Sequence, residues 1–318
     1  MPGLATIFRK ELADHFSSKR YLILFFLVFL TSLSATYVAA QTIRDELARA
    51  TPSSFVFLRL FTTAKEGGLP SFLAFIGFLG PIVGIALGFD AINSEQTGGT
   101  LSRVLSQPVY RDSFINGKFL AGTTIIGVML LSIFLIVGGV GLRILGVPPT
   151  AEEMVRIGVF FVLCMVLIGF WMSLANLFSI FFKRPATSAL GVLAMWVFLS
   201  FFMFIIANVV ANYVVPTDQA SQANIEELAV RQQSVRDMVM RVSPTTLFEE
   251  ASLTTLTPTI RSLGPVFVRE TVRLVPNPLS LGQSLVLVWP QLTSLLALTA
   301  LCFGLSYMTF MRREVRAT

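Results

Sequence analysis

Residues 90–118 read DAINSEQTGGTLSRVLSQPVYRDSFINGK, and the runs on either side, 71–89 and 119–142, contain no charged residue. An apolar stretch of about 20 residues is long enough to cross a bilayer as a helix. The polar insert is therefore a loop held at one membrane face by a helix on each side. Its composition is more specific than a connector needs. Gly98-Gly99 permits a backbone turn that side chains would block. Thr100 is placed to cap a short amphipathic helix carrying Leu101, Val104 and Leu105. Pro108 stops that helix, because the residue before a proline is pushed out of the α region. Glu95, Arg111 and Lys118 supply charge around the stub. Two readings stand: a plain connection, or a docking surface that takes a push from a soluble partner and passes it to the flanking helices.

Outward from this loop the chain continues in the same vein. Of its 318 residues 54% are hydrophobic and only 13% charged, and the mean hydropathy is +0.75. Soluble domains carry about a quarter charged residues. The fold class is therefore an all-α polytopic membrane protein, one transmembrane domain over 1–318. Six spans are placed at about 21–40, 71–89, 119–142, 157–182, 187–213 and 288–311. Ahead of them, residues 4–17 put Leu4, Phe8, Leu12 and Phe16 at helical spacing, with Arg9, Lys10 and Asp14 on other faces. That pattern fits an amphipathic helix lying along the membrane. Val38-Ala39-Ala40 looks like a signal-peptide cleavage site, but the apolar run before it has the length of a span, so it is read as retained.

Within the second span, Gly80, Gly84 and Gly88 recur every fourth residue, and small residues in a row let another helix come close. They form either a packing face within the subunit or a dimer face. Pro81 is placed to bend this helix. Asn176, Asn208 and Asn212 are amides expected to bond to neighbouring helices. The longest polar segment, 214–273, within an outer segment 214–287, is expected to form a small helical cap on the outer side. Its residues Ile225, Leu228, Val235, Val239 and Val242 keep a helical period, and Ser243-Pro244 opens a second helix. No residue from Leu274 to Met311 is charged, more apolar chain than one span uses. The surplus, Pro276 through Leu287, is expected to be interfacial or re-entrant. Cys164 and Cys302 fall in apolar runs and read as packing residues, and a single His15 leaves no histidine-based metal site.

The N-terminus with 90–118, 183–184 and 312–318 carries the whole formal excess of +6, the rest of the chain being neutral. Positive residues in short loops mark the cytoplasm. Both termini and the docking loop are thus expected inside, in a plasma (inner) membrane. Because the positive charge sets orientation, it does not argue for nucleic acid. No G-x-x-x-x-G-K-[ST] occurs, so nucleotide hydrolysis, if used, belongs to another chain. No ionisable residue lies mid-span, which disfavours a proton-driven carrier and a membrane-embedded enzyme.

The string FDAINSEQTGGTL, followed by QPVYR and GKFL, resembles the loop between the second and third helices of ABC-2 type transporter permeases. The likeness is strongest to small exporters, including the permease that serves nitrous-oxide-reductase maturation. The resemblance implies that Glu95, Gly98, Gly99, Thr100, Leu101, Pro108, Arg111 and Lys118 contact a cytoplasmic ATPase. It further implies two ATPase copies, holding ATP and magnesium, with a second permease copy and no cofactor in this chain. A substrate route is then expected between two copies, lined by the second and fifth spans and suited to a lipid, drug or amphipathic peptide. The alternative is a non-transporting subunit that passes ATP-driven motion to an extracytoplasmic partner through 214–287.

Overall fold

The computed structural model describes residues 3–47, 55–64, 68–100, 110–216, 225–258 and 279–312. Among them there is no strand, and six helical segments are long and apolar enough to cross a membrane. In chain order α1 is Leu4–Ser17, α2 is Lys19–Leu47, α3 is Arg59–Thr62 and α4 is Phe72–Gly88. A short α5, Asn93–Thr97, follows the second crossing, and α6 is Arg111–Leu145. Then come α7 (Ala151–Phe181), α8 (Pro185–Val197), a π-helical turn (Phe198–Phe202) and α9 (Met203–Val214). These last three make one crossing. Finally α10 is Ile225–Met240, α11 is Pro244–Leu256 and α12 is Leu281–Arg312.

Local chemistry sets the helix ends. Ser71 Oγ accepts from Ala74 N at 3.3 Å to open α4. Thr150 and Glu153 form a reciprocal capping box on α7, with Thr150 N donating to Glu153 Oε2 at 2.8 Å. Gly146, at φ 68, closes α6 in the left-handed conformation that glycine tolerates. Lys183 and Arg184 with Pro185 then turn the chain sharply from α7 into α8.

The bundle is built around α7. It packs against α4, α6, α8, α11 and α12. Its apolar window is 61% buried, close to the 67% of the second crossing and far above the 17% of the fifth and 22% of α12. A post surrounded by helices must admit some of them closely, and α4 does so through its glycines. A Cβ on Gly88 would lie 2.6 Å from Met172 O, and one on Gly80 would lie 3.1 Å from Ile168 Cγ1. Gly84 likewise faces Ile168, Trp171 and Met172, so all three glycines face α7 of the same chain. Near the Thr150 end a knot of aromatic rings joins α3, α4, α6, α7 and α11: Phe61, Phe72, Phe134 and Phe160 lie within 5.2–6.1 Å of one another, and Phe248 stacks on Phe160 at 6.1 Å. Packing of this kind adds edge-to-face and offset attraction to the apolar area removed from solvent.

Three expectations need revision. Helices outrun the apolar segments: the first crossing reaches Leu47 and the third begins at Arg111. Hydropathy marks only the part that sits in lipid, whereas backbone hydrogen bonding carries a helix on into the interface. The loop at 90–118 is accordingly shorter than expected, since Arg111 through Lys118 form the first two turns of α6. Leu281–Leu287, expected as an interfacial or re-entrant piece, is the first part of a continuous α12 that runs through Pro290; Pro276, Asn277 and Pro278 lie outside the described residues. A proline removes one N–H donor, a loss that an otherwise intact long helix tolerates.

Candidate functional site

The segment after α4 is fastened from beneath. Ile92 N and Asn93 N both donate to Ser179 Oγ, at 2.9 and 3.1 Å, near the end of α7. Asn93, fully buried, also donates through Nδ2 to Phe89 O and Phe182 O. A small apolar cluster of Ile7, Ile92, Phe114, Ile115, Ile180 and Phe310 underlies it, with Phe114 stacked on Phe310 at 5.6 Å. The short helix α5 therefore rests on α1, α6, α7 and α12 together.

Its outward side is open. Ser94, Thr97, Gly98, Gly99 and Thr100 are exposed. Gly99 takes φ +67, so the turn expected at the glycine pair is present and depends on glycine. Thr100 Oγ1 donates back to Glu95 O at 3.3 Å, closing α5, and the helix it was expected to cap lies outside the described residues. Leu101 and Pro108 lie outside the described residues. Arg111 begins α6 half-buried.

Glu95 and Lys118, read from the sequence as surface charges, face each other. Lys118 Nζ lies 2.7 Å from Glu95 Oε1 and 2.8 Å from Glu11 Oε1. The Lys118 and Glu11 side chains are each 10% exposed and that of Glu95 14%. Lys118 also sits over the Phe114 ring at 5.1 Å. One ammonium thus joins α1, α5 and α6. Charge-assisted bonds of this length are roughly twice as strong as neutral ones. Burial pushes the Glu11 carboxyl up, but Lys118 and Lys10 overcome it and hold the group below its ordinary range. Burial also holds the His15 imidazole below its ordinary value, the Glu11 charge opposing and the Lys118 charge assisting. Beside this cluster Arg20 pairs with Asp90 at 2.7 Å.

Sequence reasoning missed Glu11, Ser179 and a second polar hub at the far end of α7. A signal for Glu11 existed: it falls one helical turn after Ile7, and those two are the buried residues of α1, whereas Phe16 is 43% exposed. At the far end Arg156, fully buried, donates to Thr255 O, Ser284 Oγ and Leu279 O at 2.7–3.0 Å and pairs with Glu152. Glu153 Oε1 accepts from Phe57 N at 3.0 Å. Glu250 accepts from Arg241 Nε and from Gln291 Nε2, joining the end of α10 to α11 and α12.

The sequence matches the family described as ABC-2 family transporter protein over residues 5–315. The chain belongs to the ABC-2 transporter family. It is also similar to the protein named Probable ABC transporter permease protein NosY from Pseudomonas aeruginosa, with 29% identity over 201 residues, 62% of this chain and 67% of that protein. As an ABC-2 permease, the chain is a multi-pass membrane protein and a transporter's membrane subunit.

Proposed function

We propose that α5 and the glycine turn after it are the surface on which a separate cytoplasmic ATPase docks, and that two permease copies with two ATPases export an amphipathic molecule. The observation that carries this reading is mechanical. A short exposed helix is bonded at its base to α7 and, through Lys118, to α1 and α6, so a displacement there cannot be absorbed locally. The ATP and magnesium belong to the partner chains, and both termini face the cytoplasm with α5. The test uses a single cysteine, Thr97→Cys, in a chain whose buried Cys164 and Cys302 are replaced by alanine. A membrane-impermeant maleimide should leave intact cells unlabelled and label inside-out vesicles, and bound ATPase should protect the site. Labelling from outside intact cells refutes the reading.

A second reading is favoured by the two ends of α7. Ser179 holds the α5 turn at one end, while Arg156 gathers α11, α12 and Leu279 at the other. Such a rod suits a subunit that passes motion to an extracytoplasmic partner without moving a substrate. Vesicles containing the whole complex separate the two: ATP-dependent flux supports export, and ATP-dependent change in outer-partner binding without flux supports transmission.

A further inference from the structure

A polar cavity of about 250 Å³ lies between α1, the end of α4, α5, α6 and α7. Its walls carry three cations and four carboxylates, and every cation already has an acid of this chain beside it. Lys118 lies between Glu11 and Glu95, Arg20 is on Asp90, and Lys10 is on Glu11 and Asp14. Donors are present in the lining, on Lys10, His15, Ser18, Arg20 and Lys118, yet they leave some acceptors unmet. Two of its wall residues hold buried oxygens without a hydrogen-bond partner: Glu95 Oε2, and Oδ1 of Asn176, whose side chain belongs to a residue only 8% exposed. A buried acceptor left unpaired costs on the order of 1–3 kcal/mol, so a ligand that supplies N–H donors and one positive charge would relieve both and neutralise the excess acid.

The depth of the cavity says where that ligand comes from. Ser18, between α1 and α2, lines it, as do Leu87 in the last turn of α4 and Lys118 in the second turn of α6. Membrane helices enter and leave lipid at these points, so the cavity lies at the headgroup level. We propose that it binds the primary ammonium of an ethanolamine phospholipid, directed at Glu95 and Asn176. The lipid phosphate then lies at the rim, where the Lys10 and Arg20 side chains are each 59% exposed. A choline headgroup has the charge but no N–H, and cannot satisfy the two oxygens. The bound headgroup would touch Glu95 and so tie membrane composition to the position of α5. The inference needs only that the six helices sit in a bilayer; it stands whether or not an ATPase docks on α5.

Native mass spectrometry of the full chain in detergent, with dioleoyl phosphatidylethanolamine and dioleoyl phosphatidylcholine in equal amounts, tests it. The expected result is at least a tenfold preference for the ethanolamine lipid, falling to within twofold in Asn176→Leu and in Glu95→Gln. Thermal unfolding of each variant confirms that it is folded. Equal retention of the two lipids, or a preference that survives both substitutions in folded protein, overturns the proposal. Displacement of the lipid by millimolar free ethanolamine overturns it in favour of a soluble amine.

Discussion

Replacing Gly88 by alanine isolates the contact between the second and fourth crossings. The new Cβ would sit 2.6 Å from Met172 O, 2.8 Å from Ala175 Cβ and 3.1 Å from Asn176 N, all atoms fixed to the α7 backbone. An ordinary carbon–oxygen approach is about 3.3–3.6 Å, so the two helices must part by roughly 0.7 Å or more, and no rotamer change avoids it. Overpacking of this kind costs about 1–3 kcal/mol. Alanine also gains up to about 1 kcal/mol over glycine in a helix, a gain shared by any such substitution. Gly169→Ala on α7 provides the reference, since a Cβ there meets nothing within 4 Å. The difference between the two variants cancels the helix preference and should be about 1–3 kcal/mol. Gly80→Ala should fall between them, because its nearest atom, Ile168 Cγ1 at 3.1 Å, is farther off and belongs to a side chain, not the α7 backbone. Thermal or denaturant unfolding in one detergent measures the order. If Gly88→Ala is as stable as Gly169→Ala, the close approach of α4 to α7 is wrong.

Three further outcomes follow from the ion clusters. Glu95→Lys should destabilise by about 3–5 kcal/mol, the usual loss when one partner of a buried pair is removed, and should weaken ATPase co-purification. Adding Lys118→Glu should restore much of both; if stability returns but co-purification does not, Glu95 itself is a contact for the ATPase. Arg156→Met leaves the Thr255 and Leu279 carbonyls unpaired, at about 1–3 kcal/mol each. Amide exchange should then quicken across α11 and the first turn of α12, with α1 unchanged, and uniform exchange would count against the hub. Acid should act through α1. His15 is held below its ordinary value, so the unfolded chain takes its proton first and stability falls as pH drops below about 6.5. Glu11, also depressed, extends the loss below about pH 4.3. His15→Asn should flatten the upper part of that slope in a pH series of unfolding curves, and an unchanged slope would refute the assignment.

The helical architecture was legible because lipid imposes a simple rule: a run such as 119–142 can satisfy its backbone only as a helix. The glycines every fourth residue in α4 were legible for the same reason of spacing, and what they touch became clear only with α7 in place. The ion cluster was not legible as a cluster. Lys118 meets Glu11 across 107 positions, and periodicity within one helix carries no information about a partner so remote. Arg156 was hidden differently. It stands at the edge of an apolar run, where a cation ordinarily looks like a headgroup anchor, and only the return of Thr255 and Leu279 over it makes it an interior residue.

The π-helical turn at Phe198–Phe202 gives the fifth crossing a property the other five lack. A π turn accommodates one residue more than an α turn, and each residue in an α-helix advances the face by about 100°. Loss of a single residue here would restore an α turn and keep Asn212 facing Gln232, whose amide it accepts at 2.7 Å, whereas the same loss elsewhere in the crossing would swing Asn212 away by about 100°. The turn therefore works as a length buffer, taking up one residue while everything from Met203 to α10 keeps its face.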